Sequence, residues 1–386
     1  MRELKKSNYN VTMISPRNHF VFTPLLASTS VGTLEFRCIT EPVRNDSRNH
    51  SYYQAQCNDI DFKNQRVHCT SWIGEIIAVG SHCNTFNIPG VDEHAHFLKD
   101  INDARRIRKR IIECFEEASR PGLPEKTKND LLHFVVVGGG PTGIEFSAEL
   151  CDFISKDAIR TYPEDLVSRV RMTLYDVAPQ ILGSFDSQLS EYAHKKFKHK
   201  GIEIKTKRFV DQVQADHLVI RDEGKVPYGL LVWATGLTPS PLIDTLADRV
   251  ALDAGNQRMM TDGKLQLLEK DNLETLQNVY ALGDCATIDD YDLPATAQVA
   301  TQKASYLAKV VLTEGNNKTK TTPHNNFMFK NRGKMVFIGS SEALIDMSSV
   351  HELAKQSGRL AWCLWRSAYL GMTFSIRNRM LIPYHW

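Results

Sequence analysis

The chain has 386 residues, 42% hydrophobic and 24% charged, enough for two or three domains around a sizeable core. A net charge of +2 gives no general case for nucleic-acid binding, and no run of roughly 18 apolar residues offers a helical membrane span. Eight cysteines occur without a CxxC or any spacing to histidine that suits a metal, so reduced thiols and no metal site are expected.

In chain order, Met1-Arg-Glu-Leu-Lys-Lys is too short and polar for a signal peptide. Residues 9–14 read as a strand, closed by the turn Ser15-Pro16-Arg17-Asn18, and an apolar segment over 20–31 ends at Gly32. Short strands are expected at 65–70 and 75–80, with a boundary at Pro89-Gly90. Residues 101–118 are helical by period, with Ile101, Ala104, Ile107, Ile111 and Phe115 on one face, and the stop Arg120-Pro-Gly-Leu-Pro124 follows. Later strands are expected at 201–205, 217–221, 230–236 and 278–284, and a helix at 294–313. A β-like pair at 326–329 and 334–339 precedes an aromatic, basic tail. Asp289, Asp290 and Asp292 lack the glycine and distal glutamate of an EF-hand, which argues against calcium.

One run carries more chemistry than the rest: Phe134-Val-Val-Val-Gly138-Gly139-Gly140-Pro141-Thr142-Gly143-Ile-Glu145. It reads as strand, glycine turn and helix start, the order of a dinucleotide-binding βαβ unit. A lone GxGxxG is weak, and the flanking apolar residues supply the context. Gly138 permits the turn, Gly140 lets backbone approach a pyrophosphate, and Gly143 lets the helix pack against the strand. The free N–H groups of the helix start would face the phosphates. Asp176, at the end of the next strand, suits the ribose hydroxyls and would disfavour a 2′-phosphate. It lies further on than the usual ~20 residues, and an ordinary strand-end carboxylate stays open as an alternative. The nucleotide unit spans about 132–229.

Four features in order point further: Ala78-Val79-Gly80, the turn at 138–143, Trp233-Ala-Thr235-Gly236, and Val279-Tyr-Ala-Leu-Gly283-Asp284. This order resembles the two-dinucleotide-binding flavoproteins, in which FAD and NAD(P)H sit on duplicated Rossmann domains. Within that superfamily the chain is most similar to type II (non-proton-pumping) NADH:quinone oxidoreductases. The strings Ser15-Pro-Arg-Asn-His-Phe-Val-Phe-Thr23-Pro24-Leu25-Leu26, Val31-Gly-Thr-Leu-Glu-Phe-Arg37, Asn84-Thr-Phe-Asn-Ile-Pro-Gly90, Leu293-Pro-Ala-Thr-Ala297-Gln298-Val-Ala-Thr-Gln302 and Ala361-Trp-Cys-Leu-Trp-Arg-Ser-Ala-Tyr-Leu370 carry the match. A disulfide reductase would need a redox dithiol beside the flavin, and residues 15–31 contain no cysteine.

The resemblance implies an α/β fold of two Rossmann-like domains plus a C-terminal membrane-interface segment. The FAD domain is expected over 1–100 and 230–325, the NADH domain over 101–229, and the membrane-associated region over 326–386. Hydride passes from NADH to FAD, and electrons then go to a quinone. FAD contacts are expected from Ser15, Arg17, Thr23, Pro24, Leu25, Gly80, Thr235, Gly236, Gly283, Asp284, Ala297 and Gln298. NADH contacts are expected from 138–143 and Asp176. Glu145, Gln298 and Gln302 are expected at the reacting rings, Glu145 near the junction of nicotinamide and quinone. Trp362, Trp365 and Tyr369, in a tail with four arginines and no acid from 359 onward, are expected at a membrane surface. A peripheral place on the mitochondrial inner membrane and a homodimer complete the expectation.

The family pattern opens with a strand and GxGxxG for FAD, and here no such motif precedes 138. The expectation is a chain shortened at its start, within 69–78, and at its end. Three readings stay open: a working quinone reductase, which is favoured, an NAD-binding remnant, and a flavoenzyme with another acceptor.

Overall fold

A computed structural model of the chain describes residues 11–44, 50–64, 66–67, 75–314, 325–348, 351, 354–373 and 375–385. The helices that position the site are α1 (Leu26–Val31), α2 (Ile101–Ala118), α3 (Pro141–Phe153), α4 (Ala297–Glu314), α5 (Arg359–Met372) and α6 (Ile376–His385). The chain forms two compact units: residues 1–20, 42–82 and 237–330, and residues 21–41, 83–236 and 331–386. The sequence alone drew its boundaries at 100, 229 and 325.

The second unit is built on a five-stranded parallel sheet. Its order is Ile202–Thr206, Arg171–Asp176, His133–Val137, Leu230–Trp233 and His96–Phe97. All five residues of His133–Val137 are buried, as a central parallel strand covered on both faces requires. α2 starts where expected because Asp100 and Asp103 form a reciprocal capping box. Its Ile107, Ile111 and Phe115 join Phe134, Val136 and Phe146 in the core. α1 is buried along its whole length and ends on Gly32, whose φ of +91° closes the helix. Residues 217–220 form the expected strand, the middle of a small antiparallel sheet, Val210–Val213, His217–Ile220 and Gly224–Pro227.

The C-terminal part of this unit departs from expectation. Asn326 to Phe329 is not a strand. The partner of Lys334–Gly339 is Glu342–Asp346, joined through Ser340 and Ser341, both at positive φ, and Lys355–Gly358 completes the sheet. The aromatic stripe also faces the other way. Trp365 is 3% exposed and packs on Phe337 at 5.4 Å and on Tyr369 at 4.9 Å, and Tyr369 meets Phe22 edge-on. Large rings bury the most surface per residue, so they take the core side of α5. The side left outward carries Leu360, Leu364 and Met372, continued by Ile376, Met380 and Tyr384 of α6. Asn378 anchors α6 by donating to Glu41 Oε1 at 2.8 Å, and Arg377 donates to the Arg37 carbonyl. No helix among the described residues is long and apolar enough to cross a membrane.

In the first unit, Val11–Ile14 pairs in parallel with His50–Tyr53. Glu75–Ile77 pairs in parallel with Thr275–Ala281, the outer pair of a five-stranded sheet. No described strand joins the two pairs. Arg66–Val67 remains of the strand expected at 65–70, and residues 1–10, 65 and 68–70 lie outside the described residues. Ile60, Ile77, Ile243, Leu246, Leu267, Val279 and Ala281 form the core.

Candidate functional site

In the second unit the site gathers at the carboxyl ends of adjacent parallel strands, where open α/β sheets leave a crevice. Gly138, directly after its strand, has φ +117°, and a Cβ there would meet the Ala234 carbonyl oxygen at 2.6 Å. A Cβ on Gly143 would stand 1.9 Å from the Gly138 carbonyl oxygen, so only glycine lets α3 fold back on the turn. Gly140 meets nothing within 4 Å, and Pro141 and Thr142 are exposed in the first turn of α3. Open backbone at a helix N-terminus is what a pyrophosphate needs. Asp176 stands beside the turn. Its Oδ2 accepts from the Gly139 N–H, and its Oδ1 accepts from the Ala178 N–H at 2.7 Å. Thr235 and Gly236 follow the neighbouring strand, and Gly236 sits at φ +69° against Phe86 and Asn84.

One turn into α3, Glu145 points at the C-terminal sheet. Its Oε1 accepts from the Phe337 N–H at 3.1 Å, and the buried Trp365 indole lies beside it. Burial pushes the Glu145 carboxyl up to about 8, with the Glu149 charge adding to it. Glu149 is raised to about 7, again chiefly by burial, although Ser28 Oγ donates to it at 2.6 Å. Asp152, the third acid of α3, is paired with Lys156 and Lys200 and accepts from the Ser340 N–H at 2.7 Å. An acid that holds its proton near neutrality without a neighbouring cation can donate it.

Thr23, Pro24 and Leu25 also belong to the second unit, as a 3-10 turn leading into α1. Leu25 is fully buried in the core and its N–H donates to the Phe22 carbonyl at 3.2 Å, so the expected flavin contact is left to Thr23 and Pro24.

The first unit holds the other expected residues. Ser15 and Arg17 form a turn after the strand Val11–Ile14, with the Arg17 N–H donating to Ser15 Oγ at 3.2 Å. Gly80 and Gly283 end the neighbouring strands at φ +70° and +88°, and a Cβ at either would meet nothing within 4 Å. Asp284 follows, with Ser81 Oγ donating to its Oδ2 at 3.2 Å. On α4, Ala297 is exposed and Gln298 half-buried. Gln302 is occupied: its Nε2 donates to the Lys330 carbonyl at 2.9 Å and its Oε1 accepts from the Lys330 N–H at 3.0 Å. It anchors that backbone with both ends of its amide.

Sequence reasoning missed three residues. Glu149 lies four residues after Glu145 and so shares its face, a signal that was present. Ser28, its partner, is 121 residues away and gave none. Lys303 is 1% exposed on α4 and donates to the Ala286 carbonyl; burial lowers its pKa to about 8, and nothing in the sequence marked it.

Comparison with known proteins agrees with this geometry. The family model described as pyridine nucleotide-disulphide oxidoreductase matches residues 1–304, and that of the NDH2 C-terminal domain matches residues 331–386. The chain is 39% identical to a probable NADH dehydrogenase of Dictyostelium discoideum, over all of this chain and 85% of that protein. It is 35% identical to the mitochondrial external NADH-ubiquinone oxidoreductase 2 of Saccharomyces cerevisiae, over all of this chain and 77% of that one. The solved structure of NDH2 from Plasmodium falciparum in complex with NADH superposes with a TM-score of 0.90 at 27% identity, covering 99% of this chain and 94% of that one.

Proposed function

Given that the chain belongs to the pyridine nucleotide-disulphide oxidoreductase family, as a type II NADH dehydrogenase, we propose that Glu145 supplies the proton its reaction consumes. The activity is that of a flavin-dependent NADH:quinone oxidoreductase, which moves a hydride equivalent from NADH to a quinone without pumping protons. FAD and NADH are its cofactors. The residues present fit FAD, because Gly80 and Gly283 leave open backbone at two strand ends beside Asp284. When bound, FAD supplies the step between two-electron donor and acceptor.

The chain's own residues have distinct tasks in this reading. The turn at 138–143 binds the NADH pyrophosphate and Asp176 binds the ribose. In the first unit Ser15, Arg17, Gly80, Gly283, Asp284, Ala297 and Gln298 are assigned to the flavin. In the second unit Thr23, Pro24, Thr235 and Gly236 are assigned flavin contacts. Gln302 positions the chain at Lys330. The observation that carries the role of Glu145 is its half-buried carboxyl beside the glycine turn, which accepts from the Phe337 N–H with the Trp365 indole alongside.

The protein is mitochondrial, and we place it on the inner-membrane surface. The outward face of α5 and α6 supports this, with Ile376 and Met380 77% and 73% exposed and Arg377 and Arg379 among them. A homodimer remains part of the proposal.

The test is NADH oxidation by the FAD-loaded chain with a panel of acceptors. A short-chain ubiquinone should support turnover, and a disulfide or ferredoxin should not. Turnover with the disulfide and none with the quinone would overturn the reading.

A further inference from the structure

Quinone reduction by NADH balances as NADH + H⁺ + quinone giving NAD⁺ + quinol. A donor half-buried against the C-terminal sheet must therefore be recharged in every turnover. Glu149 lies one helical turn beyond Glu145 on α3, and its charge is felt at the Glu145 carboxyl. Glu149 is nearly buried, yet Thr33 Oγ1 donates to its Oε2 at 3.2 Å, opposite the Ser28 bond to Oε1. Thr33 in turn lines a cleft of about 360 Å³ with Gly32, Arg108, Phe153, Asp157 and His385. At about 30 Å³ per molecule the cleft has room for several waters. His385 Nε2 is buried at this site with no hydrogen-bond partner among the described residues, a polar atom that water would satisfy.

On the reading of Glu145 as proton donor, we propose that Glu149 recharges it, taking protons from this cleft through the Thr33 hydroxyl. Thr33 Oγ1 accepts a proton from a cleft water as it gives its own to Glu149 Oε2. Glu149 then passes a proton to Glu145 after Glu145 has given its own to the quinone. No electrons move in these steps, and the net change is one solvent proton delivered to the quinol. Glu149 acts through Glu145 and does not touch substrate, so its role is positional with respect to the reacting atoms.

The surroundings suit the route. Asp152 adds negative charge to Glu149 but is itself paired with Lys156 and Lys200. Tyr369, raised by burial and by the Glu145 charge, faces Glu145 as a neutral phenol. Arg108, Asp157 and His385 are the ionisable groups at the cleft. Burial raises both carboxyls toward neutrality, so each can take and release a proton at working pH.

The experiment uses the FAD-loaded full chain and its Glu149→Gln, Thr33→Val and Glu145→Gln variants, mixed rapidly with NADH and then with a short-chain ubiquinone. E149Q should slow quinol formation roughly 10²-fold and remove part of its pH dependence, while flavin reduction by NADH changes far less. T33V should slow the same step, more weakly. Infrared titration of the chain without cofactor gives a second readout. A protonated-carboxyl band that E149Q deletes should titrate near 7. Quinol formation in E149Q within about twofold of the wild type at every pH, with E145Q slow, overturns the relay alone. Equal slowing of both half-reactions in E149Q with an unmoved pH profile overturns it as well, since that is a structural defect. If E145Q itself forms quinol at the wild-type rate, the donor reading falls and the relay falls with it.

Discussion

Replacing Glu145 by glutamine should make the protein more stable at alkaline pH. The carboxyl is raised from its ordinary value of 4.5 to about 8 in the folded chain. A group raised on folding favours the folded state fully below its unfolded value, and that contribution is lost as pH climbs to the folded value. The wild type should therefore lose stability between about pH 4.5 and pH 8. Taken at face value, the ionised form is disfavoured by roughly 4–5 kcal/mol. Glu145 is only half-buried, and relaxation with entering water reduces this to on the order of 3 kcal/mol. Glutamine keeps the oxygen that accepts from Phe337 and never ionises. Melting curves of both proteins at pH 5 and pH 9 are the assay. They should nearly coincide at pH 5, and at pH 9 E145Q should melt several degrees higher, at roughly 2–4 °C per kcal/mol. A melting difference that does not change with pH, or an E145Q less stable at pH 9, would refute the reasoning.

Asp176→Ala removes the acceptor for Gly139 and Ala178 along with the ribose contact, and should raise KM for NADH at least about tenfold. It should also narrow the preference over NADPH; steady-state kinetics with both nucleotides check this, and an unchanged preference counts against the assignment. Gly143→Ala drives a Cβ into the Gly138 carbonyl, so NADH binding by calorimetry should be lost and stability should drop by roughly 1–3 kcal/mol. The double variant Ile376→Glu, Met380→Glu should lose binding to anionic vesicles while keeping turnover with a water-soluble quinone. Unchanged vesicle binding would remove α5 and α6 from the membrane reading.

What could be read from the sequence was whatever is local. The run from Phe134 to Gly143 specified strand, turn and helix because each residue's constraint lies within a few neighbours. Asp100, Asp103 and the apolar period fixed α2 in the same way. The errors arose where tertiary partners decide. Trp362, Trp365 and Tyr369 were rightly placed on one helix face, but spacing alone does not say whether that face meets lipid or core. Phe337 and Phe22 settled it. Residues 326–329 look like a strand by composition, but the pairing partner of Lys334–Gly339 is reached through a Ser-Ser turn that lacks the glycine usually marking a hairpin. Glu149 was legible as a neighbour of Glu145, while its hydroxyl partners Ser28 and Thr33 come from a distant segment. Gln302 was singled out by resemblance, and only the structure shows both ends of its amide engaged by Lys330.

The role of Glu145 is tested most directly by the pH profile of quinone reduction, with NADH saturating, in the wild type and in E145Q. The wild-type rate should fall as pH rises through about 8, where the donor loses its proton. E145Q should be slower by roughly 10²-fold and should lack that limb. A wild-type rate in E145Q, or the same alkaline limb in both proteins, would contradict the account.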